Sequence, residues 1–168
     1  VRPHREDRSR REALVTAKKT KKPAKTEALT SDAALLERIS KMASIGWWEL
    51  DLATMTMSFS LESYRINDVD PEEGLSLEQA TNMVNAEARP ALHAAIQAAI
   101  GKGDAFDLDL PMTTMKGRAI WVRTQAVAVV ENGKTTRLEG TFQDGTERKR
   151  AEEALRANEA FFRTLSSV

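Results

Sequence analysis

Two hydrophobic periods share this chain. Leu35, Ile39 and Met42 recur at helical spacing, with Leu36 and Ala43 beside them. Ser31 can cap such a helix, Asp32 suits its positive end, and Gly46 stops it. The pattern predicts an amphipathic N-terminal helix over 31–45. From Gly46 the period is two. Trp48, Leu50 and Leu52 alternate with Trp47, Glu49 and Asp51, as a half-buried strand requires. MTMSFS (55–60) continues the alternation as a second strand, and LESYRI (61–66) loses it and predicts a short helix. NDVDPEEG (67–74) reads as a turn-rich loop in which Pro71 holds Asp70 extended. Ser76 then caps a short helix through Met83. A helix over 86–100 follows, with Leu92, Ile96 and Ala99 on one face and Gly101 and Gly103 at its end.

Three more strands are expected. In the first, Phe106, Leu108, Leu110 and Met112 alternate with Asp107, Asp109, Pro111 and Thr113. Pro111 has no amide to donate, which predicts an open edge or a bulge there. Lys116-Gly117 makes a turn into a strand over 118–131. Asn132-Gly133 is a hairpin signal, and a strand over 134–143 follows it. Thr146 is expected to cap a long charged helix. Two strands, a helical middle and three antiparallel strands predict an α+β fold, with helices on one face of the sheet.

The chain has 168 residues, with 25 basic and 25 acidic side chains and no cysteine. The missing thiols exclude disulfides, thiolate metal sites and a cysteinyl–flavin photoadduct. No apolar run approaches the ~20 residues of a membrane span, so the fragment is expected to be cytoplasmic. Residues 1–26 hold ten basic and three acidic side chains, a basic arm on an acidic body. Residues 1–30 contain few large apolar side chains and are expected to be a disordered linker. The segment AKKTKKPAKT lacks interleaved aromatics to stack on bases, so no specific nucleic-acid partner is expected.

Catalytic patterns are weak. GKGD (101–104) is no phosphate loop, and no serine sits in a nucleophile elbow. Asp107, Asp109, Glu131 and Glu139 fall on outward or loop positions and read as a solvated face. The fragment is therefore not expected to be an enzyme.

From about Leu35 to Arg156 the chain resembles a PAS domain, the sensor module of bacterial histidine kinases and cyclic-dinucleotide enzymes. The resemblance rests on IGWWELDL (45–52), FSLESYRI (59–66) with the following Asp70-Pro71, SLEQATNMV (76–84) and GDAFDLDL (103–110). It rests most on GRAIWVR (117–123) and NGKTTRLEGTFQDGTERKRAEEALR (132–156). It implies a five-stranded antiparallel sheet whose short helices cover a small-molecule cavity. The implied division is a linker over 1–30, a helix over 31–45, a PAS domain over 46–145 and a coiled-coil signalling helix over 146–168. The parent would be a larger signalling protein, a histidine kinase first and a diguanylate cyclase second. ANEAFFRTLSSV (157–168) resembles the lead-in to a further module.

Alternation assigns the inner face of the sheet. Leu108, Leu110, Met112, Val122, Thr124, Ala126, Gly140 and Phe142 are the candidate ligand-contacting residues. The small ones, Thr124, Ala126 and Gly140, leave either room for a ligand or space that helix side chains fill. Thr124 is the one polar group among the inner strand positions, so a ligand would be small and mostly apolar. Flavin-binding members need amides where this chain has Met112, Val122 and Phe142, and a cysteine it lacks. Haem-binding members use a histidine on the long helix, where His93 is the candidate ligand. A ligand-free relay spacer is the other alternative.

Ala151, Leu155, Asn158, Phe162 and Leu165 step by four, three, four and three, a heptad seam. Glu152 and Arg156 are spaced to pair on its surface. The seam implies a homodimer through the C-terminal helix, with the N-terminal helix taking part and an output domain in cis. Asp144, Thr146 and Arg148 are the candidate relay residues. By the resemblance, Asp144 bridges to Arg148 or Lys149. Outward Trp47, Trp121, Val127 and Val129 leave an apolar patch that the helix over 32–44 is expected to cover, in cis or across a dimer.

Overall fold

The computed structural model describes residues 24–167. Helix α1 (Ala24–Ala43) crosses the division between a unit ending at Leu36 and a body beginning at Glu37. It starts at Ala24, so Ser31 lies inside it and does not cap it. Alanine, lysine and glutamate in the preceding turns are sufficiently good helix formers to extend it. Residues 1–23 of the basic arm lie outside the described residues.

The body is a five-stranded antiparallel sheet in the order β2-β1-β5-β4-β3. The strands are β1 (Ile45–Asp51), β2 (Thr56–Phe59), β3 (Phe106–Thr113), β4 (Ala119–Glu131) and β5 (Lys134–Asp144). Between β2 and β3 come three helices, α2 (Leu61–Asn67), α3 (Leu77–Met83) and α4 (Arg89–Lys102). Helix α5 (Thr146–Ser166) follows β5.

Local chemistry accounts for most boundaries. Ser60 caps α2 by accepting the Ser63 amide. Asp68 ends that helix in the left-handed region, at φ 58°. Ser76 and Gln79 form a capping box at α3. Helix α4 starts at Arg89 and not at Ala86, because residues 85–88 are spent in a turn closed by the Ala88 amide on the Asn85 carbonyl. Gly103, at φ 72°, ends it. Asn132 (φ 52°) and Gly133 (φ 76°) both take positive φ, which a two-residue type I′ hairpin demands. Pro111 lies on β3, an edge strand, and its carbonyl accepts the Asn85 amide at 2.9 Å. The missing donor there therefore costs no ladder bond.

Helices α2, α3 and α4 roof one face of the sheet. Ile66, Met83 and Leu92 from the three helices pack with Leu110, Met112, Ile120 and Val122 from β3 and β4. A second cluster joins Trp48, Leu50, Ala126 and Leu138 with Ala99 of α4. The α2 roof reaches the sheet at Gly46, where a Cβ would meet the Ser63 backbone nitrogen at 2.6 Å.

Candidate functional site

Between sheet and roof lies a cavity of about 70 Å³. Leu110, Met112, Val122, Thr124 and Phe142 stand on its wall, joined by Trp48, Leu50 and Leu138 from the sheet and by Leu92, Ile96 and Asn67 from the helices. Leu108 packs beside the wall, and Ala126 and Gly140 do not reach it. Their small size serves a neighbour instead. The Trp48 indole lies over Gly140, stacks on Phe106 with ring centres 6.3 Å apart, and donates to the Thr124 hydroxyl at 3.2 Å. Neither a ligand nor a helix side chain fills the space over Gly140; a β1 tryptophan does. Thr124, the expected polar contact, is already engaged by that tryptophan.

Asn67 was legible only as the first residue of a turn. It is the last residue of α2, is 2 % exposed, and stands on the cavity wall. Its Nδ2 donates to the Ser63 carbonyl at 2.7 Å, and its Oδ1 has no partner among the described residues. The i, i+4 spacing of Ser63 and Asn67 was the available signal.

The cavity does not fit flavin. Small-molecule pockets run to about 300–1,000 Å³, and this one offers about 70 Å³. The strand positions that would hold the ring edge carry Met112, Val122 and Phe142. Nor does His93 suit haem. It is exposed on α4, while its neighbours Leu92 and Ile96 face the cavity. An imidazole pointing to solvent cannot ligate iron inside.

An ionic clamp holds the end of α2 to the sheet. Arg118, just before β4, donates to the Asp68 carboxylate at 2.8 and 3.1 Å, and Thr114 donates to it at 2.6 Å. The Arg118 guanidinium holds the Asp68 carboxyl below its ordinary value of 3.8, against the opposing effect of burial. The folded-state pKa is depressed, so this contribution is present above the unfolded value and lost as pH falls through the folded one. Asp68→Asn keeps a residue that tolerates positive φ and removes the charge. Arg118 is half exposed, which limits the expected loss to about 1 kcal/mol at pH 7. Urea titrations should show the gap between variant and wild type closing below pH 4.

At the other end, β5 passes into α5 through Gly145 alone. The Gly145 amide donates to the Trp121 carbonyl at 2.9 Å, and the Trp121 amide donates to the Thr146 hydroxyl at 3.1 Å. Thr146 is thus not the cap. Gly145 is the N-cap, and Asp144 before it accepts the Thr146 amide on its carboxylate at 3.0 Å. Arg148 does not bridge to Asp144, which the Thr146 contacts occupy. It donates instead to Asp109 of β3 at 2.8 Å and to Glu152 at 2.9 Å. Glu152 therefore pairs one turn back and not with Arg156. Lys149 sits over the Trp121 ring, 4.6 Å from its centre.

Beyond this junction α5 buries no side chain. Ala151, Leu155, Asn158, Phe162 and Leu165 are all exposed. On the outer sheet face Trp47 is 50 % exposed, and Ile39 and Met42 of α1 are 51 % and 86 % exposed. The expected cover over Trp47 is not completed within the body.

An antiparallel sheet of this order, roofed by short helices over a small cavity and running its last strand into an exposed helix, defines a sensor domain. Residues 56–142 match the PAS fold family model, and the chain belongs to that family. It is 34 % identical over 117 residues to a blue-light-activated histidine kinase of Brucella anthropi, covering 70 % of this chain and 23 % of that one. It is 29 % identical over 139 residues to the protein of that name from Brucella ovis, covering 83 % and 28 %. The chain thus spans about a quarter of the length of these curated relatives. Among solved structures, it is similar to a sensory box histidine kinase/response regulator from Burkholderia thailandensis. That match has 25 % identity and a TM-score of 0.66, and covers 77 % of this chain and 98 % of that one. The N-terminal domain of a diguanylate cyclase with PAS/PAC sensor from Marinobacter aquaeolei shares the fold at 15 % identity, with a TM-score of 0.58 over 62 % and 98 % of the two chains. No helix among the described residues is long and apolar enough to cross a membrane.

Proposed function

We propose that this PAS domain is a sensor and dimerisation module that passes a ligand- or partner-induced change through α5 to a histidine kinase output domain in the cytoplasm. In this reading 46–145 is the sensing body, 31–45 an accessory helix and 146–168 the signalling helix. The observation that carries it is the junction at Gly145. A single residue separates β5 from α5, and Trp121, Asp109 and Thr146 tie the first turn of the helix to β3 and β4. A change in sheet packing then alters the direction of α5, a two-state element on which both ends can act. The kinase relatives support the output assignment. The exposed heptad face of α5 supports a parallel homodimer.

The lack of any cysteine makes single-cysteine variants clean reporters. Leu155→Cys and Phe162→Cys should cross-link as dimers under mild oxidation, and Glu153→Cys, off the seam, should not. Equal cross-linking at all three positions, or none at any, would overturn the dimer seam.

A further inference from the structure

We propose that the cavity takes a small neutral molecule of roughly three or four heavy atoms, apolar except for one hydrogen-bond donor, and that Asn67 Oδ1 is the acceptor that anchors it. This rests on the sensor reading above and names the chemistry of its ligand. Asn67 is 2 % exposed, lines the cavity and leaves its Oδ1 unpaired, although a buried acceptor without a partner costs stability. Its Nδ2 is committed to the Ser63 carbonyl, so the orphan atom presents an acceptor and not a donor.

The other side-chain polar groups of the wall each have a protein partner. Thr124 accepts from the Trp48 indole at 3.2 Å, and Thr81 donates to the Leu77 carbonyl at 2.7 Å. The remaining wall is apolar, as Leu50, Leu110, Val122 and Phe142 illustrate. Asn67 Oδ1 is the one buried side-chain N or O atom of the wall with no partner among the described residues. A molecule with an alkyl body and one O–H or N–H satisfies that acceptor and the apolar wall together. The volume, about 70 Å³, is far below the ~300–1,000 Å³ of pockets for drug-sized ligands, which limits the ligand to a few heavy atoms.

The test uses two isomers of one formula, 1-propanol with a donor and ethyl methyl ether without. Each is titrated into the protein while the Trp48 indole N–H resonance is followed, since Trp48 is on the wall. The expected result is saturable movement with 1-propanol and about tenfold weaker binding of the ether, the value of one hydrogen bond to a buried orphan group. Asn67→Leu should abolish the preference. Equal binding of both isomers by the wild-type protein overturns the anchor, as does absence of binding by either. Discrimination that survives in Asn67→Leu also overturns it. The wild-type comparison stands even if the variant does not fold. Loss of discrimination leaves the cysteine cross-links of α5 untouched, whereas failed cross-linking with discrimination intact overturns the dimer reading alone.

Discussion

Gly140→Val is expected to lower stability by about 3 kcal/mol, measured as a fall in urea midpoint at unchanged m-value. Gly140 is in the middle of β5, paired with Trp48 on one side and Ala126 on the other. A Cβ there would meet Trp48 Cζ2 at 2.5 Å and also the Gln125 carbonyl oxygen. Valine is the better strand former, but β-propensity spans only about 1 kcal/mol. The clash is larger, because the indole is held by Phe106 and by its bond to Thr124 and can shift only by giving up those contacts. Near-ultraviolet circular dichroism should change as Trp48 is displaced. Wild-type stability in Gly140→Val would show that the indole does not depend on this niche.

Gly46→Ala is the second large effect, an expected loss of about 2–3 kcal/mol. Its Cβ would meet the Ser63 nitrogen at 2.6 Å and Cα at 2.8 Å, together with the Ser63 hydroxyl. Two of these atoms are backbone, so the first turn of α2 must lift from the sheet. Ser63→Ala in the same chain removes only the hydroxyl contact and should restore less than half of the loss. It also deletes the Ser63 bond to the Trp47 carbonyl at 2.8 Å, which limits the rescue further. Full rescue would mean that the side chain, and not the helix backbone, sets the close approach. Because α2 ends in Asn67 and Asp68, lifting it disturbs both the cavity wall and the Arg118 clamp. Gly46→Ala should therefore also weaken 1-propanol binding.

Much of this architecture was legible because it is local. A period of two marks which side chains share a face, and Trp48, Leu50, Leu110, Met112 and Val122 all lie where alternation put them. Asn132-Gly133 declared its hairpin because few other pairs accept positive φ twice. Pro111, with no amide to give, narrowed its strand to an open edge or a bulge, and the edge is what the sheet order shows. The cavity was only partly legible. Leu110, Met112, Val122, Thr124 and Phe142 reach it, but alternation cannot say that Trp48 occupies the niche over Ala126 and Gly140, since that fit joins residues far apart in sequence. Asn67 was missed because an asparagine before an acidic turn looks the same whether its amide faces water or a cavity. The partner of Arg148 was misassigned for a related reason. Asp109 is 39 residues away and comes within reach only once β3 lies along β4.

The sequence by itself determined the order of the elements and the faces of the strands, with the caps at Ser60 and Ser76, because backbone sterics and hydrogen bonding between near neighbours settle those. Only the tertiary structure decided which small residues serve an indole, which acceptor is left unpaired and which carboxylate holds the first turn of α5. Those depend on distances between strands and helices that no local pattern encodes.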